Sequence, residues 1–216
     1  MQVVVLDWDG TLVDTLGALY RANVAVFGEF GIPFDETAYR RHYAPDWREM
    51  YARLGIPPER LDEANERWLG HYQGGSEVQP FPGTEAALRR LGGAGCLLGL
   101  VTAGHRSIVE PQLDATGLGA LLPVRVFGDD LPVHKPDPEP LRVALARLGV
   151  ADRPEAAAYA GDAPDDMRMA RAVGARAVGI ASILGQPDDL RAAGADEVAD
   201  SITAWVERLL GPDGTA

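Results

Sequence analysis

Two aspartates separated by one residue follow the first apolar run of this 216-residue sequence, where Asp7 and Asp9 end the segment VVVLDWD. If that run is a strand, side chains two residues apart face the same side. Two converging carboxylates favour magnesium, which binds hard oxygen ligands and keeps waters and phosphate oxygens in its shell. Asp7 could then attack phosphorus to give an aspartyl-phosphate, with Asp9 as acid and base. Asp-Gly pairs are also common in ordinary turns, so this segment alone decides little.

A second candidate position follows the apolar run CLLGLV and consists of Thr102, Ala103 and Gly104. The threonine hydroxyl and the two backbone N–H groups could hold phosphate oxygens at the start of the next helix. A threonine before a helix is also an ordinary N-cap. Gly10 and Thr11, directly after the two aspartates, complete the expected phosphate contacts, since glycine lets the backbone turn beside a phosphate without a Cβ in the way.

The third position is Lys135 in the segment VHKPDPEP, and it is the only lysine among 20 basic residues. A lysine is a compact point charge that can offset a phosphate and a carboxylate together, whereas the arginine fork needs planar geometry and more room. A solvent-exposed loop lysine is the simpler explanation, but its uniqueness favours a site that requires an ammonium group.

The fourth position is the segment AYAGDAPDD, in which Asp162 follows an apolar run and Asp165 and Asp166 open a predicted helix. Acidic residues in a first helical turn are ordinary partners of the helix dipole. Asp162 precedes that turn, which places it for a metal ion instead of a cap. We therefore expect Asp162 to bind the cation and Asp166 to hold either Asp162 or Lys135 in position.

The pattern of elements predicts a doubly wound α/β fold with a parallel sheet covered on both faces. Short runs rich in valine, leucine and isoleucine alternate with amphipathic segments from about residue 83 onward. Residues 16–73 instead predict four helices separated by glycine and proline. We expect a core domain formed by residues 1–15 and 80–216, an inserted helical domain formed by residues 16–79, and a Gly/Pro-rich hinge at 73–83.

Composition excludes several classes of function. The formal net charge of −12 disfavours nucleic acid and anionic membrane surfaces as partners. The N-terminal segment lacks the pattern of a signal peptide, and no apolar run is long enough to span a bilayer. A single cysteine, Cys96, rules out an intrachain disulfide and a cysteine-rich metal site. A cytoplasmic protein is the expectation, and the sequence gives no indication of its oligomeric state.

Taken together, the motifs DWDGT, VT at 101–102, HKPDP and GDAPDD resemble the haloacid dehalogenase-like hydrolase superfamily, across essentially the whole chain. The resemblance implies Asp7 as nucleophile, Asp9 as acid/base and as a magnesium contact through its backbone carbonyl, Thr102 and Lys135 on the phosphate, and Asp162 on Mg²⁺. Two positions depart from the usual pattern. Trp8 stands where a smaller apolar residue is more common, and Ala103-Gly104 replaces the frequent Asn-Gly or Asn-Lys.

Within that superfamily, Asp9 disfavours dehalogenation, because ester hydrolysis at carbon needs no leaving-group acid at this position. Schiff-base phosphonate hydrolysis requires a lysine in the inserted helices, and residues 16–73 contain none. The favoured function is a phosphatase for a small phosphorylated metabolite, similar to phosphoglycolate phosphatase. A sugar phosphomutase and a non-catalytic binding or regulatory relative remain as alternatives.

In such an enzyme the inserted helices form a cap that supplies specificity and closes over the substrate. The candidates for substrate contact lie in and after its second predicted helix. The basic ones could meet a carboxylate or a second anion on the substrate, although arginines on a helix surface are more often simply solvated. The candidates are Arg40, Arg41, His42, Tyr43, Trp47 and Arg48.

Overall fold

A six-stranded parallel sheet forms the centre of the protein, as described by a computed structural model for residues 1–72 and 78–211. The spatial order of the strands is β3-β2-β1-β4-β5-β6. The strands are β1 (Val3–Leu6), β2 (Leu97–Val101), β3 (Val124–Val126), β4 (Ala157–Gly161), β5 (Arg176–Ile180) and β6 (Glu197–Ala199). The predicted doubly wound α/β fold is confirmed.

Helices cover both faces of the sheet, which explains why the central strands are apolar throughout. In β1, Val4 packs into one hydrophobic cluster while Val3 and Val5 pack into the other. The first cluster includes residues of α5 (Thr84–Gly93), α6 (Arg106–Thr116) and α10 (Ile202–Leu210). The second includes residues of α7 (Glu139–Arg147), α8 (Pro164–Val173) and α9 (Pro187–Ala192).

Four further helices follow β1 and build a separate hydrophobic cluster. They are α1 (Leu16–Glu29), α2 (Glu36–His42), α3 (Trp47–Arg53) and α4 (Leu61–His71). The cluster is rich in aromatic side chains, with Phe27, Tyr39 and Tyr51 buried at its centre. The four helices occur where the sequence predicted them. Treating residues 16–79 as a domain of their own remains a prediction.

The chain enters and leaves the helical segment through two backbone segments that lie side by side. Val13 and Pro80 form an antiparallel bridge, the Asp14 N–H donates to the Gln79 carbonyl at 3.0 Å, and the Phe81 N–H donates to the Leu12 carbonyl at 3.0 Å. These bonds tie the two crossings together at the base of the helices. Much of the predicted hinge, residues 73–77, lies outside the described residues.

The short elements near the C-terminus were not predicted. β6 has three residues and α9 has six, too few to give a clear period in hydrophobicity. They are fixed by tertiary contacts, because Leu190 packs into the core and β6 pairs with β5. None of the helices within residues 1–72 and 78–211 is both long and apolar enough to cross a membrane.

Candidate active site

Polar side chains from three adjacent strands meet at the carboxyl edge of the sheet. Asp7 follows β1, Thr102 follows β2 and Asp162 follows β4, and β1 lies between the other two strands. The register brings these strand ends level, because Leu6 is paired with Leu100 on one side and with Ala160 on the other. This edge is where ligands bind in open α/β sheets. The predicted positions therefore converge.

Lys135 reaches this edge from the connection between β3 and α7. Its Nζ lies 2.8 Å from Asp7 Oδ1 and 2.8 Å from Asp166 Oδ1, and its side chain is only 5% exposed. A buried ammonium between two buried carboxylates is an arrangement in which removing one partner is costly. The single lysine of the sequence is thus part of the site and not a surface residue.

Asp166 uses both of its carboxylate oxygens within the protein. Oδ1 accepts from Lys135 and lies 3.1 Å from the Tyr159 hydroxyl, and Oδ2 accepts from the Ala163 N–H at 3.0 Å. Gly161 makes room for this carboxylate, because a Cβ at that position would collide with it. Asp166 therefore positions Lys135, one of the two partners expected for it.

The Asp162 carboxylate is held in place by Ser182, whose hydroxyl donates to Oδ2 at 2.6 Å. Gly10 passes directly over the same carboxylate with a φ of 72°. A Cβ on Gly10 would collide with the Asp162 carboxylate and with Leu16. Glycine is required here both by the left-handed backbone and by the close approach.

The buried acidic groups have strongly perturbed proton affinities. Burial raises the pKa of Asp7 to about 7, although the charge of Lys135 acts in the opposite direction. Burial, together with the charges of Asp7 and Asp166, raises the pKa of Asp162 well above its usual value. Burial alone would lower the pKa of Lys135, but Asp166 and Asp7 together hold it above its usual value. For Asp7 and Asp162, the positive charge of Lys135 therefore does not fully offset the effect of burial.

A divalent cation fits this set of donors. Asp7, Asp162 and Asp166 place one carboxylate oxygen each within 4.8 Å of one another. Asp166 is saturated by its protein partners, whereas Oδ2 of Asp7 and Oδ1 of Asp162 accept no hydrogen bond from the described residues. Two unpaired oxygens on buried acidic groups with raised pKa values are the ligands that Mg²⁺ prefers.

Asp9 lies beside this cluster and has a different environment. Its Oδ1 accepts a short hydrogen bond of 2.5 Å from the Thr15 hydroxyl, and it lines the adjacent cavity together with Asp7. Burial raises the pKa of Asp9, with the Thr15 hydrogen bond as the main opposing effect. A carboxyl group that is fixed in position and favoured in its protonated form is suited to proton transfer.

The predicted phosphate contacts divide into two groups. Thr102, Ala103 and Gly104 line the cavity. Thr102 Oγ1 accepts from the Gly104 N–H at 3.0 Å, which leaves its own hydroxyl hydrogen free to donate. The N–H groups of Gly10 and Thr11 instead donate to Val13 and Trp8 within the turn, and the buried Thr11 hydroxyl has no partner in the described part of the chain.

A cavity of about 160 Å³ lies between this site and the four inserted helices. We call Asp7, Asp162, Asp166 and Lys135 the floor of the site. We call the five aromatic residues that line the cavity from the helical side the wall. The wall consists of Tyr39, Tyr43, Trp47, Tyr51 and Trp68.

Only two of the six predicted specificity candidates, Tyr43 and Trp47, line this cavity. Arg40 and Arg41 face a separate surface groove with Arg168. His42 is half-buried and does not line the cavity. The remaining candidate is Arg48, which is exposed, stacks on Trp47 at 4.5 Å and pairs with Asp62 at 3.0 Å. The basic candidates therefore lie outside the cavity, because successive residues of a helix point in different directions.

Trp8, the unusual residue of the first motif, connects the core to the wall. Its Nε1 donates to Gln112 Oε1 at 2.7 Å, and Gln112 Nε2 donates to the Tyr72 hydroxyl at 3.1 Å. Tyr72 in turn stacks on Trp68 with ring centroids 4.6 Å apart. Sequence reasoning missed this chain because its members are distant in sequence. It also missed Ser182, although Ser182 follows an apolar run just as the predicted residues do.

Comparison with known proteins identifies the family to which the chain belongs. A model of the haloacid dehalogenase-like hydrolase family matches residues 4–180. The chain belongs to this family. It is 34% identical over 185 residues to a phosphoglycolate phosphatase of Cereibacter sphaeroides, which covers 82% of this chain and 83% of that protein. Within the family it lies in the phosphoglycolate-phosphatase-like branch, and it is a hydrolase of the phosphatase type.

Solved structures share the fold over nearly the whole chain. A hydrolase from Pseudomonas syringae has a TM-score of 0.84 with 23% identity, and the match covers 100% of both chains. A candidate β-phosphoglucomutase from Thermotoga maritima has a TM-score of 0.74 with 25% identity, covering 97% of this chain and 98% of that one. The likeness therefore extends over the inserted helices as well as the sheet.

Proposed function

We propose that this protein is a magnesium-dependent phosphatase that hydrolyses a small phosphorylated metabolite through an aspartyl-phosphate on Asp7. The observation that carries the proposal is the position of Asp7 in the floor of the cavity. One of its oxygens is 2.8 Å from Lys135 Nζ, and the other has no hydrogen-bond partner in the described chain. A carboxylate held by one oxygen and open at the other is ready to act as a nucleophile.

In the first step, the Asp7 carboxylate attacks the phosphorus of the bound ester. The bond from phosphorus to the ester oxygen breaks, and its electron pair remains on that oxygen. Asp9, which burial favours in its protonated form, donates a proton to the departing oxygen and releases an alcohol. Thr15 holds the Asp9 carboxyl group in place through its short hydrogen bond.

In the second step, a water molecule attacks the phosphorus of the aspartyl-phosphate. Asp9, now ionised, accepts a proton from this water, and the bond from phosphorus to the Asp7 oxygen breaks. The products are inorganic phosphate and the original Asp7 carboxylate. The same residue therefore acts as acid in one step and as base in the next, as two-step displacement requires.

Magnesium would be held by Asp7, by Asp162 and by the main-chain carbonyl of Asp9. When bound, it would neutralise the carboxylates and the phosphate oxygens as charge develops. On the protein side, Lys135, the Thr102 hydroxyl and the N–H of Ala103 are the donors for the phosphoryl oxygens. Ser182 and Asp166 act by positioning Asp162 and Lys135, respectively.

The four inserted helices act in this proposal as a cap that excludes water while the aspartyl-phosphate forms. The paired crossings at residues 12–14 and 79–81 lie where such a cap would pivot. Solution scattering with and without a phosphate mimic would measure the closure. Identical profiles would count against a moving cap.

A sugar phosphomutase is the second candidate, favoured by the structural likeness to the Thermotoga maritima protein. Such an enzyme would return the phosphoryl group to a sugar hydroxyl instead of to water. Incubation with sugar 1-phosphates distinguishes the two, because a mutase yields an isomerised sugar phosphate and a phosphatase yields free phosphate.

The deciding experiment measures phosphate release from a generic aryl phosphate with and without magnesium. We expect turnover only with magnesium, and a loss of about 10⁴-fold or more in Asp7→Asn. Asp14→Asn is the matched control, because Asp14 is an exposed carboxylate seven residues further along the chain. Turnover that does not need magnesium, or full activity in Asp7→Asn, would refute the mechanism.

A further inference from the structure

The wall of the cavity consists of aromatic rings, whereas a site for a charged metabolite would contain cationic side chains. Tyr39 and Tyr43 meet edge to face with centroids 5.9 Å apart, and Trp47 and Tyr51 do the same at 5.5 Å. Leu16, Leu19, Met50, Ile108 and Leu184 add aliphatic surface to the lining. A site lined in this way gains free energy by taking apolar surface out of water.

None of the described residues that line the cavity is a lysine or an arginine. The arginines of the inserted helices are engaged elsewhere. Arg48 pairs with Asp62 on the outer surface, and Arg67 pairs with Glu29 and Glu63. Arg40 and Arg41 face the separate groove described above. No arginine or lysine on the described helices is therefore available in the cavity to neutralise a second anionic group on a substrate.

The acidic side chains that line the cavity are Asp7 and Asp9, and the only basic side chain among the described lining residues is His105. A carboxylate on the part of the substrate that leaves would lie in the same poorly solvated space as the two aspartates. In the proposed mechanism the phosphate has Lys135 as a partner, whereas the remainder of the substrate meets no permanent cation in the lining.

The polar groups of the cavity are suited to a neutral substrate. The Asn23 carbonyl oxygen accepts from the Tyr51 hydroxyl at 2.7 Å, which leaves the Asn23 amide hydrogens for a ligand. The hydroxyls of Tyr39 and Tyr43 make no hydrogen bond to the described residues, and Asn65 also lines the cavity. These groups bind hydroxyl, ether or amide functions without requiring a charge.

We infer that the substrate is a phosphate monoester of an uncharged alcohol whose apolar body is no larger than about one aromatic ring. This inference rests on the proposed function and narrows its substrate class. The upper limit follows from the cavity volume of about 160 Å³, which Asp7 and Thr102 also line, since an apolar protein cavity of roughly 150 Å³ is known to bind benzene. Phosphoglycolate, which carries a carboxylate next to its ester, is a poor fit to this wall.

The test compares two esters that differ only in charge at the far end of one ring: 4-methylbenzyl phosphate and 4-carboxybenzyl phosphate. Their alcohols leave with nearly equal ease, so a difference in kcat/KM reports on the cavity. With magnesium at pH 8, we expect the methyl ester to be favoured by about tenfold or more. Phosphoglycolate should also be turned over less efficiently than the methyl ester.

A positive charge placed in the cavity lining should largely remove this preference. Asn65→Lys adds a cation to the cavity lining, and we expect it to raise kcat/KM for the carboxylate ester about tenfold. Leu69→Lys adds the same charge to the same helix, at a residue that is 51% exposed and outside the cavity. In this control, the ratio of the kcat/KM values for the two esters should change by less than about twofold.

The outcomes separate this inference from the proposed function. Equal or faster turnover of 4-carboxybenzyl phosphate or of phosphoglycolate would overturn the inference and leave the phosphatase mechanism standing. If no ester were hydrolysed with magnesium, the proposed function would fail, and binding would decide the inference. The intrinsic tryptophan fluorescence, to which Trp47 and Trp68 of the wall contribute, can then be titrated with the two corresponding benzylphosphonates. We expect tighter binding of the methyl compound, and equal or tighter binding of the carboxylate compound would overturn the inference.

Discussion

The floor of the site and the wall of the cavity are built on opposite physical principles. Each side chain of the floor is ionisable, buried and held by at least one charged or hydrogen-bonding partner, as Lys135 is by two carboxylates at 2.8 Å. The rings of the wall are held mainly by packing against one another. The floor can therefore hold reacting groups in one geometry, whereas the wall provides a shape that other residues could provide as well. In the proposed function, the floor therefore sets the reaction and the wall sets the substrate.

The largest expected effect comes from breaking the floor with Lys135→Met. Asp7 and Asp166 would be left buried without their shared cation, which should cost about 3 kcal/mol of the free energy of unfolding. Phosphate release should fall about 10³-fold, because a donor to the phosphoryl group is lost. Urea unfolding and steady-state assays with magnesium measure the two effects.

Arg168→Met is the matched control for this variant. It removes a cation from α8 that is 57% exposed and pairs with Asp165 at 2.6 Å. We expect a change of less than about 1 kcal/mol, since exposed ion pairs contribute little. Near-normal stability and activity in Lys135→Met would mean that the floor is not the preorganised charge cluster described above.

The same contrast explains what could be predicted from the sequence. Part of the floor was predictable because Asp7 and Asp162 follow apolar runs, and the carboxyl ends of parallel strands meet at one edge of the sheet. The same rule predicted Thr102, whereas Lys135 was predicted because it is the only lysine in the sequence. The sheet and the first four helices were likewise predictable from the period of hydrophobic residues.

The wall could not be predicted in the same way. Which face of a short helix points into a cavity depends on how the helices pack, and Arg41 and Tyr43 are only two residues apart. The arginines were predicted as substrate contacts because of their charge, whereas helix packing places the neighbouring aromatic rings inside the cavity. Long-range partners such as Gln112 for Trp8 also depend on the folded structure, since 104 residues separate them in the chain.

A second prediction concerns the charge balance of the floor without a metal ion. The pKa of Asp7 is raised by burial to about 7, above the value of about 3.9 expected in the unfolded chain. A raised pKa contributes stability that is complete below the unfolded value and is lost as the pH rises through the folded value. In the presence of a chelator, unfolding free energy should fall by about 2 kcal/mol between pH 5.5 and 8.

Asp7→Asn should flatten this dependence, because asparagine does not ionise. Magnesium should restore the stability of the unsubstituted protein at pH 8 and have a much weaker effect on the variant. Urea denaturation at several pH values provides the measurement. The same slope in both proteins would show that the acidic floor carries no excess negative charge.

A smaller effect is expected from Ser182→Ala, which removes the donor to Asp162 Oδ2. With its orientation less fixed, Asp162 should bind magnesium about tenfold more weakly, while kcat at saturating magnesium stays close to normal. Ser201→Ala is the control, because that serine caps α10 far from the site and donates nothing to Asp162. It should lower stability by about 1 kcal/mol and leave the magnesium requirement unchanged. A loss of kcat that magnesium cannot restore would assign Ser182 a role beyond positioning.

The smallest expected effect is the one that distinguishes the wall from its surroundings. Arg40→Ala and Arg41→Ala should change kcat/KM by less than about twofold, because both residues face the groove beside Arg168 and not the cavity. Tyr43→Ala, two residues after Arg41, removes a ring from the wall and should raise KM about tenfold while kcat changes less. Since all three substitutions lie within four consecutive residues, a general disturbance of α2 would affect them alike. A larger effect from either arginine than from Tyr43 would place substrate recognition in the groove, and the aromatic wall would then serve only to hold the helices together.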